Sequence, residues 1–336
     1  VVLYSNEPLQ GDLAILPDNW SVKVLPWPFR KGWSQIRLSW EFLFNKPDIF
    51  FAPGQLVPVV CPQNTISIVH DSAFMAFPQA YRFLSRLYLR LMNRLVIKKS
   101  KIIITPSEFN KKELIKYYKI DKDKIKVIPW GYDSSEFKIQ NSELSGEEVL
   151  KKYKIKKPYL ISVGRLEEKK NTVNIVRAFK LLKDILQPDG SDLQLVLVGT
   201  PDFGYREIDQ AIRGGKYKDD IILPGWVDSK DVPVLLQSAT VFVFPSLYEG
   251  FGLPVLEASA CGCPVVISNR AALPEVVGKS AIKVDPDDIG QIVTEIKKIL
   301  KDRFYEQEQV EKGLENVKNF SWSKTGREVW KILENS

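Results

Sequence analysis

The chain has one histidine, His70, three cysteines and two methionines in 336 residues. With Cys61, Cys261 and Cys263 set beside a single histidine, no resident metal is expected, and reduced thiols in a cytoplasmic protein are the plain reading. No apolar run approaches the ~20 residues that cross a bilayer. Nothing with a charged start and an apolar middle marks a secretion signal. Nor is there a recognition helix, RNA-binding signature or zinc module, so nucleic acid is not an expected partner.

Positive charge is present but uneven. Residues 1–130 hold 19 Lys and Arg against 10 Asp and Glu, whereas the remainder is nearly balanced. A basic first half suits an anionic neighbour such as a membrane surface. Within it, YRFLSRLYLRLMNRLVIKKSK repeats Arg82, Arg86, Arg90, Arg94 and Lys98 at four-residue spacing beside Phe83, Leu84, Leu87, Leu91 and Leu95. Two readings follow: a helix lying on anionic lipid at the inner face of the cell membrane, or a half-buried helix whose arginines are its solvated face.

At this length about two domains are expected. Short apolar segments alternate with helical patterns: VVLY, DIFFAP, TISIVHD, KIIITPS, YLISVGR, LQLVLVG, DIILPG, VFVFPS, CPVVIS and AIKV. That rhythm predicts an α/β fold of right-handed βαβ units, with parallel strands in two sheets. The polar, turn-rich stretch containing GYDSSEF and NSELSGEE suggests a linker at 131–157, between a first domain at 1–130 and a second at 158–320.

Three segments carry candidate chemistry. In PSLYEGFGLPVLEASACGCPVV, a strand runs into a glycine-containing loop and then a helix whose first turn holds Pro254. Unpaired N–H groups at such a helix start favour an anion. In SVGRLEEKKN, Arg165 and Lys170 stand at the carboxyl end of another strand, where they outline a diphosphate clamp or are simply surface charges. In TISIVHDSAF, His70 ends a strand, as either a catalytic-site residue or a hydrogen-bonded structural one.

Taken in order and spacing, these segments, with LPGWVDSKDVPVLLQSATVFVFPS, KIIITPSEFNKKELIKYY and FSWSKTGREVW, resemble the retaining family 4 glycosyltransferases over nearly the whole chain. The most specific part is the pair Glu249 and Glu257, with seven residues between them in EGFGLPVLE. The subgroup resembled contains bacterial mannosyl- and rhamnosyl-type transferases of surface-polysaccharide assembly.

The resemblance implies a GT-B fold, two Rossmann-like domains facing across a cleft. It implies metal-independent transfer of a hexose, mannose favoured, from a nucleoside-diphosphate sugar, GDP-mannose favoured, to a glycan or lipid-linked acceptor. Arg165 and Lys170 would hold the donor diphosphate. Glu249 would lie near the sugar, with Gly250, Phe251, Gly252 and Leu253 offering backbone N–H groups, and Glu257 would accept from the ribose. Trp226 and Val227 match the stretch whose backbone reads the base, and His70 would approach from the other domain. The segment 321–336 would form a helix crossing back to the first domain. That family opens with a strand and a Gly-rich turn, but this chain begins at VVLYSNEP, matching the second strand. A fragment is the expected explanation, and loss of a donor contact with its activity the other.

Rival readings are a glycoside hydrolase, which does not need the Arg–Lys clamp, a GT-B sugar-nucleotide epimerase, and a non-catalytic nucleotide-sugar-binding or scaffold protein of the same fold.

Overall fold

Twelve strands are seen among the described residues of a computed structural model, which describes residues 1–29, 31–133, 137, 145–187 and 192–336. The first domain holds β1 (Val2–Ser5), β2 (Ser21–Val24), β3 (Ile49–Ala52), β4 (Asn64–Ile68), β5 (Ile102–Thr105) and β6 (Ile125–Val127). β3 to β6 form a parallel sheet in chain order, and β1 pairs with β2 in a separate parallel pair. The second domain holds β7 (Tyr159–Val163), β8 (Gln194–Val198), β9 (Ile221–Gly225), β10 (Val241–Phe244), β11 (Val265–Ser268) and β12 (Ile282–Val284).

The second sheet is parallel throughout, in the order β12-β11-β10-β7-β8-β9. Its central strands, such as LVLV and VFVF, are buried along their length, which explains their unbroken apolar runs. From β7 the chain winds outward through β8 and β9, then returns to the other side of β7 as β10 and winds the opposite way. The helices that follow β7 and β10 therefore pack in different core clusters, which makes the carboxyl ends of these two neighbours the switch point of the sheet. All ten strand segments read from the sequence are present. SVKV of β2 and IKV of β6 were not among them, each being short and broken by a lysine.

Part of the stretch expected to be a linker packs instead. Residues 134–136 and 138–144 lie outside the described residues. Beyond them Ser145 and Glu148 form a capping box that starts the helix Gly146–Lys152. Val149 and Leu150 of that helix, with Ile155, are buried against β7 and β10 residues in the second domain's core.

The helix Phe83–Lys99 divides along its length. Val96 is buried in the first domain's core with Leu95 and Ile97 packed against it, while Phe83 and Leu84 are 68% and 75% exposed and Leu87 and Leu91 are also exposed. In its first half the apolar face thus meets solvent, and the Arg86 guanidinium lies 5.8 Å from the Phe83 ring centroid. No helix among the described residues is long and apolar enough to cross a membrane.

The domains share a core. Phe251, Leu256 and Val276 of the second pack with Ile66, Ile68, Ile104 and Trp130 of the first. The helix Trp322–Glu334 lies on the first domain: the Trp322 ring stacks on Trp130 at 6.3 Å, and the Thr325 hydroxyl donates to the Pro129 carbonyl at 2.8 Å.

Cys261 and Cys263 are buried and Cys61 is half-buried. Burial pushes the Cys261 thiol up to about 12 and raises that of Cys263 further. A thiol so shifted holds almost no thiolate at neutral pH. With a disulfide-exchange reagent at pH 7.5, one thiol equivalent, Cys61, is expected to react rapidly and two only on unfolding; three fast equivalents would contradict this packing.

Candidate functional site

The crevice between β7 and β10 is lined by the two loops that the sequence marks for chemistry, and they are fastened together. The Leu247 N–H and the Ser246 hydroxyl both donate to the Lys169 carbonyl, at 2.9 and 3.0 Å. Asn171, at φ 58°, donates from its side chain to the Pro245 carbonyl at 3.1 Å and to that of Pro286 at 2.7 Å. At the centre, Lys170 Nζ meets Glu249 Oε1 at 2.5 Å, and the pair is only 16% and 11% exposed. Lys170 Nζ also stands 4.9 Å from the Phe244 ring centroid.

Arg165 is turned elsewhere. It donates to Asp202 Oδ2 at 3.0 Å from a side chain that is 71% exposed. Trp226 is exposed and Val227 buried, just beyond β9. Glu257 is half-buried on the helix Leu253–Ala260, which Gly252 enters at φ 110°.

Lys169 was not singled out in the sequence. Burial alone would lower its pKa, but the carboxylates of Glu167, Glu249 and Asp71 more than offset this and hold it raised. The ammonium is 3.6 Å from Glu167. Lys169 therefore adds a cation where Asp71 of the first domain and Glu249 of the second approach one another.

The first domain presents the carboxyl ends of β4 and β5. His70, exposed just past β4, has Nε2 3.1 Å from the Pro53 carbonyl and its ring 5.6 Å from that of Trp130. A carbonyl only accepts, so Nε2 is the donor in this contact.

Beside His70 the Glu249 loop is gripped by several residues that sequence reasoning missed. Ser107 Oγ and Asn110 Nδ2 donate to the Gly250 carbonyl at 2.8 and 3.0 Å. Tyr248 sits between Phe77 and Phe109, at ring distances of 6.0 and 5.4 Å, and its hydroxyl accepts from the Ser72 N–H. Glu275 accepts from the N–H groups of Glu108 and Phe109, at 2.7 and 3.1 Å, and so caps a first-domain helix from the second domain. The local signal was Ser107 as an N-cap before EFNKKEL; its partner across the cleft left no trace in local pattern.

Two Rossmann-like domains with a polar site at the switch point of the second and strand ends of the first opposite define a GT-B protein. The family model described as "Glycosyl transferases group 1" matches residues 146–317, and "Glycosyltransferase Family 4" matches residues 6–136. The chain belongs to this family and is a glycosyltransferase.

It is 30% identical over 298 residues to O-antigen chain mannosyltransferase B of Escherichia coli, covering 88% of this chain and 74% of that one. With O-antigen chain mannosyltransferase RfbU of Salmonella typhimurium it shares 26% over 267 residues, 80% of this chain and 68% of the relative. Among solved structures, Anabaena Alr3699/HepE in complex with UDP and glucose superposes with a TM-score of 0.74 at 18% identity, covering 94% and 87% of the two chains. WaaG, a glycosyltransferase involved in lipopolysaccharide biosynthesis, gives 0.71 at 16% identity, covering 98% and 90%. At these identities the structural likeness speaks for the fold.

Proposed function

We propose that this glycosyltransferase moves mannose, with retention, from GDP-mannose to a glycan or lipid-linked acceptor in surface-polysaccharide assembly. The observation that carries the reading is the Lys170–Glu249 pair at the β7/β10 switch point, opposite His70. The choice of sugar is supported by the two O-antigen relatives, both mannosyltransferases.

In this account the donor diphosphate takes Lys170 from Glu249. Arg165, now on exposed Asp202, swings in at little cost because exposed ion pairs contribute about 0–1 kcal/mol. Glu249, released, accepts from sugar hydroxyls, and Gly250, Phe251, Gly252 and Leu253 offer their N–H groups. Glu257 accepts from the ribose, and the backbone at Trp226 and Val227 reads the base. His70 meets the sugar from the acceptor side.

The acceptor hydroxyl attacks the face from which the diphosphate departs and passes its proton to the leaving phosphate oxygen. The new C–O bond forms as the sugar–phosphate bond breaks. Rate then comes from positioning and from cations placed where leaving-group charge grows. The testing experiment is a donor panel of GDP-mannose, UDP-sugars and dTDP-sugars, with the anomeric configuration of the product read by NMR. Mannose transferred with retention is expected; inversion or strict use of another donor would overturn the reading.

The exposed Phe83 and Leu84 support docking on an anionic membrane surface through Arg82, Arg94 and Lys98, which are exposed, and Arg86 and Arg90, which are half-buried. At roughly 1 kcal/mol per basic residue near such a surface, changing Arg86, Arg90 and Arg94 to Gln is expected to weaken binding to phosphatidylglycerol vesicles roughly 100-fold. Binding unchanged in a flotation assay would remove the membrane from the account.

A further inference from the structure

In the grip on the Glu249 loop, one side-chain amide bonds the His70 segment and the second domain at once. Asn110 lies in the first turn of the helix Glu108–Tyr118, 1% exposed. Its side-chain Nδ2 donates to the His70 carbonyl at 2.5 Å and to the Gly250 carbonyl at 3.0 Å. One amide group thus joins the strand end that presents His70 to the turn that follows Glu249. Gly250 has no side chain to separate them: a Cβ there would stand 2.6 Å from the His70 oxygen and 3.0 Å from Asn110 Nδ2.

The helix does not need this amide for its own start. Ser107 accepts from the Asn110 N–H at 3.1 Å, and Glu275 takes the N–H groups of Glu108 and Phe109. Asn110 is also costly where it sits, because its Oδ1 is buried with no partner in the structure. A buried, unsatisfied acceptor costs about 1–3 kcal/mol. Both side-chain N–H groups go to carbonyls on opposite sides of the cleft, and helix capping explains neither.

We propose that Asn110 is a positioning residue for glycosyl transfer: it sets the spacing between His70 and the Glu249–Gly250 turn and so aligns the sugar held by one domain with the acceptor held by the other. The inference rests on the transferase reading of this site. Donor diphosphate is held by Lys170 and Arg165, which Asn110 does not contact. Its loss therefore acts on the transfer step and leaves donor binding in place.

The test uses the full chain with Asn110→Asp, which sets a carboxylate against two carbonyl oxygens, and Asn110→Ala, which removes the donor. Thermal melts establish the folded fraction, titration with GDP the donor-site affinity, and transfer from GDP-mannose to a mannose-terminated oligosaccharide kcat and KM. Misplacement by about 1 Å costs on the order of 100-fold. The expected result is a kcat lowered roughly 10- to 100-fold per folded molecule, with GDP affinity within about threefold of wild type.

A kcat within threefold of wild type in Asn110→Ala overturns the proposal, as does a GDP affinity that falls in step with kcat. Small-angle scattering reads the same link without turnover: Asn110→Ala is expected to have a larger radius of gyration than wild type, and equal values would count against the link even in a chain that transfers no mannose. Should wild type transfer no sugar from any donor, the function assignment fails, and scattering still decides the role of Asn110.

Discussion

Glu249→Ala is expected to bind nucleoside diphosphate at least as tightly as wild type and yet transfer sugar on the order of 100- to 1,000-fold more slowly. Lys170→Ala is expected to lose both. The opposite signs follow from the 2.5 Å ion pair. If the donor diphosphate binds Lys170 as proposed, the carboxylate competes with it, so deleting Glu249 frees the ammonium for the anion but removes the group proposed to orient the sugar. A positioned polar group acting in the transition state is worth about 10²–10³ in rate.

Deleting Lys170 instead removes a charge-assisted bond worth about 1.5–3 kcal/mol, or roughly 10- to 100-fold in diphosphate affinity. It also leaves the buried Glu249 carboxylate without its direct partner, with only the charge of Lys169 nearby. Removing one partner of a buried pair costs about 3–5 kcal/mol, so Lys170→Ala should melt earlier and each variant is best compared with its own unliganded state. Calorimetric titration with GDP and initial-rate kinetics on the two variants check both statements. Equal losses of GDP affinity in the two would contradict competition for Lys170.

Gly250→Ala is expected to abolish transfer almost entirely while leaving each domain folded. Gly250 does not owe its identity to a positive φ; what it lacks is room. A methyl group there would meet the His70 carbonyl oxygen at 2.6 Å and Asp71 Cβ at 2.8 Å, and neither can rotate away. The domains must then part by about an ångström, breaking the Ser107 and Asn110 bonds to the Gly250 carbonyl, and a misplacement of that size costs about 10²-fold.

Gly252 is a contrasting case. It needs φ 110°, and its obstacle is the tip of the Leu273 side chain at 2.5 Å. Gly252→Ala should therefore disturb the local loop and helix entry without separating the domains. Small-angle scattering with kinetics separates the two outcomes: a larger radius of gyration for Gly250→Ala only.

The residues that the sequence marked and those it did not differ in a physical way. β7 and β10 declared themselves by apolar runs, and Lys170 and Glu249 by standing at the ends of those runs. Local pattern reaches that far because strand burial and loop position are local properties. That Lys170 and Glu249 are 79 residues apart and directly paired depends on the sheet reversing its winding between β7 and β10, which no short window contains.

The grip of Ser107, Asn110 and Glu275 on the opposite domain is of the same kind, since those contacts span 140 to 167 residues. The helix Gly146–Lys152 was lost for another reason. Its capping box is made of Ser and Glu, which in a polar, turn-rich setting read as connection. The helix Phe83–Lys99 shows the limit of amphipathic pattern: the stripe was plain, but only its second half, at Leu95, Val96 and Ile97, meets a core, and its first half faces solvent.

The central claim is that the crevice between β7 and β10 holds the donor diphosphate on Lys170. Thermal shift of wild type, Lys170→Ala and Glu249→Ala across GDP-mannose, UDP-sugars and dTDP-sugars tests it most directly. A ligand at 100 times its dissociation constant adds about 2.7 kcal/mol, which is a shift of several degrees. The account predicts that one donor, GDP-mannose, raises the melting temperature of wild type and Glu249→Ala but not of Lys170→Ala. A donor shift as large in Lys170→Ala as in wild type, or no shift with any donor, would place the diphosphate elsewhere and contradict the account.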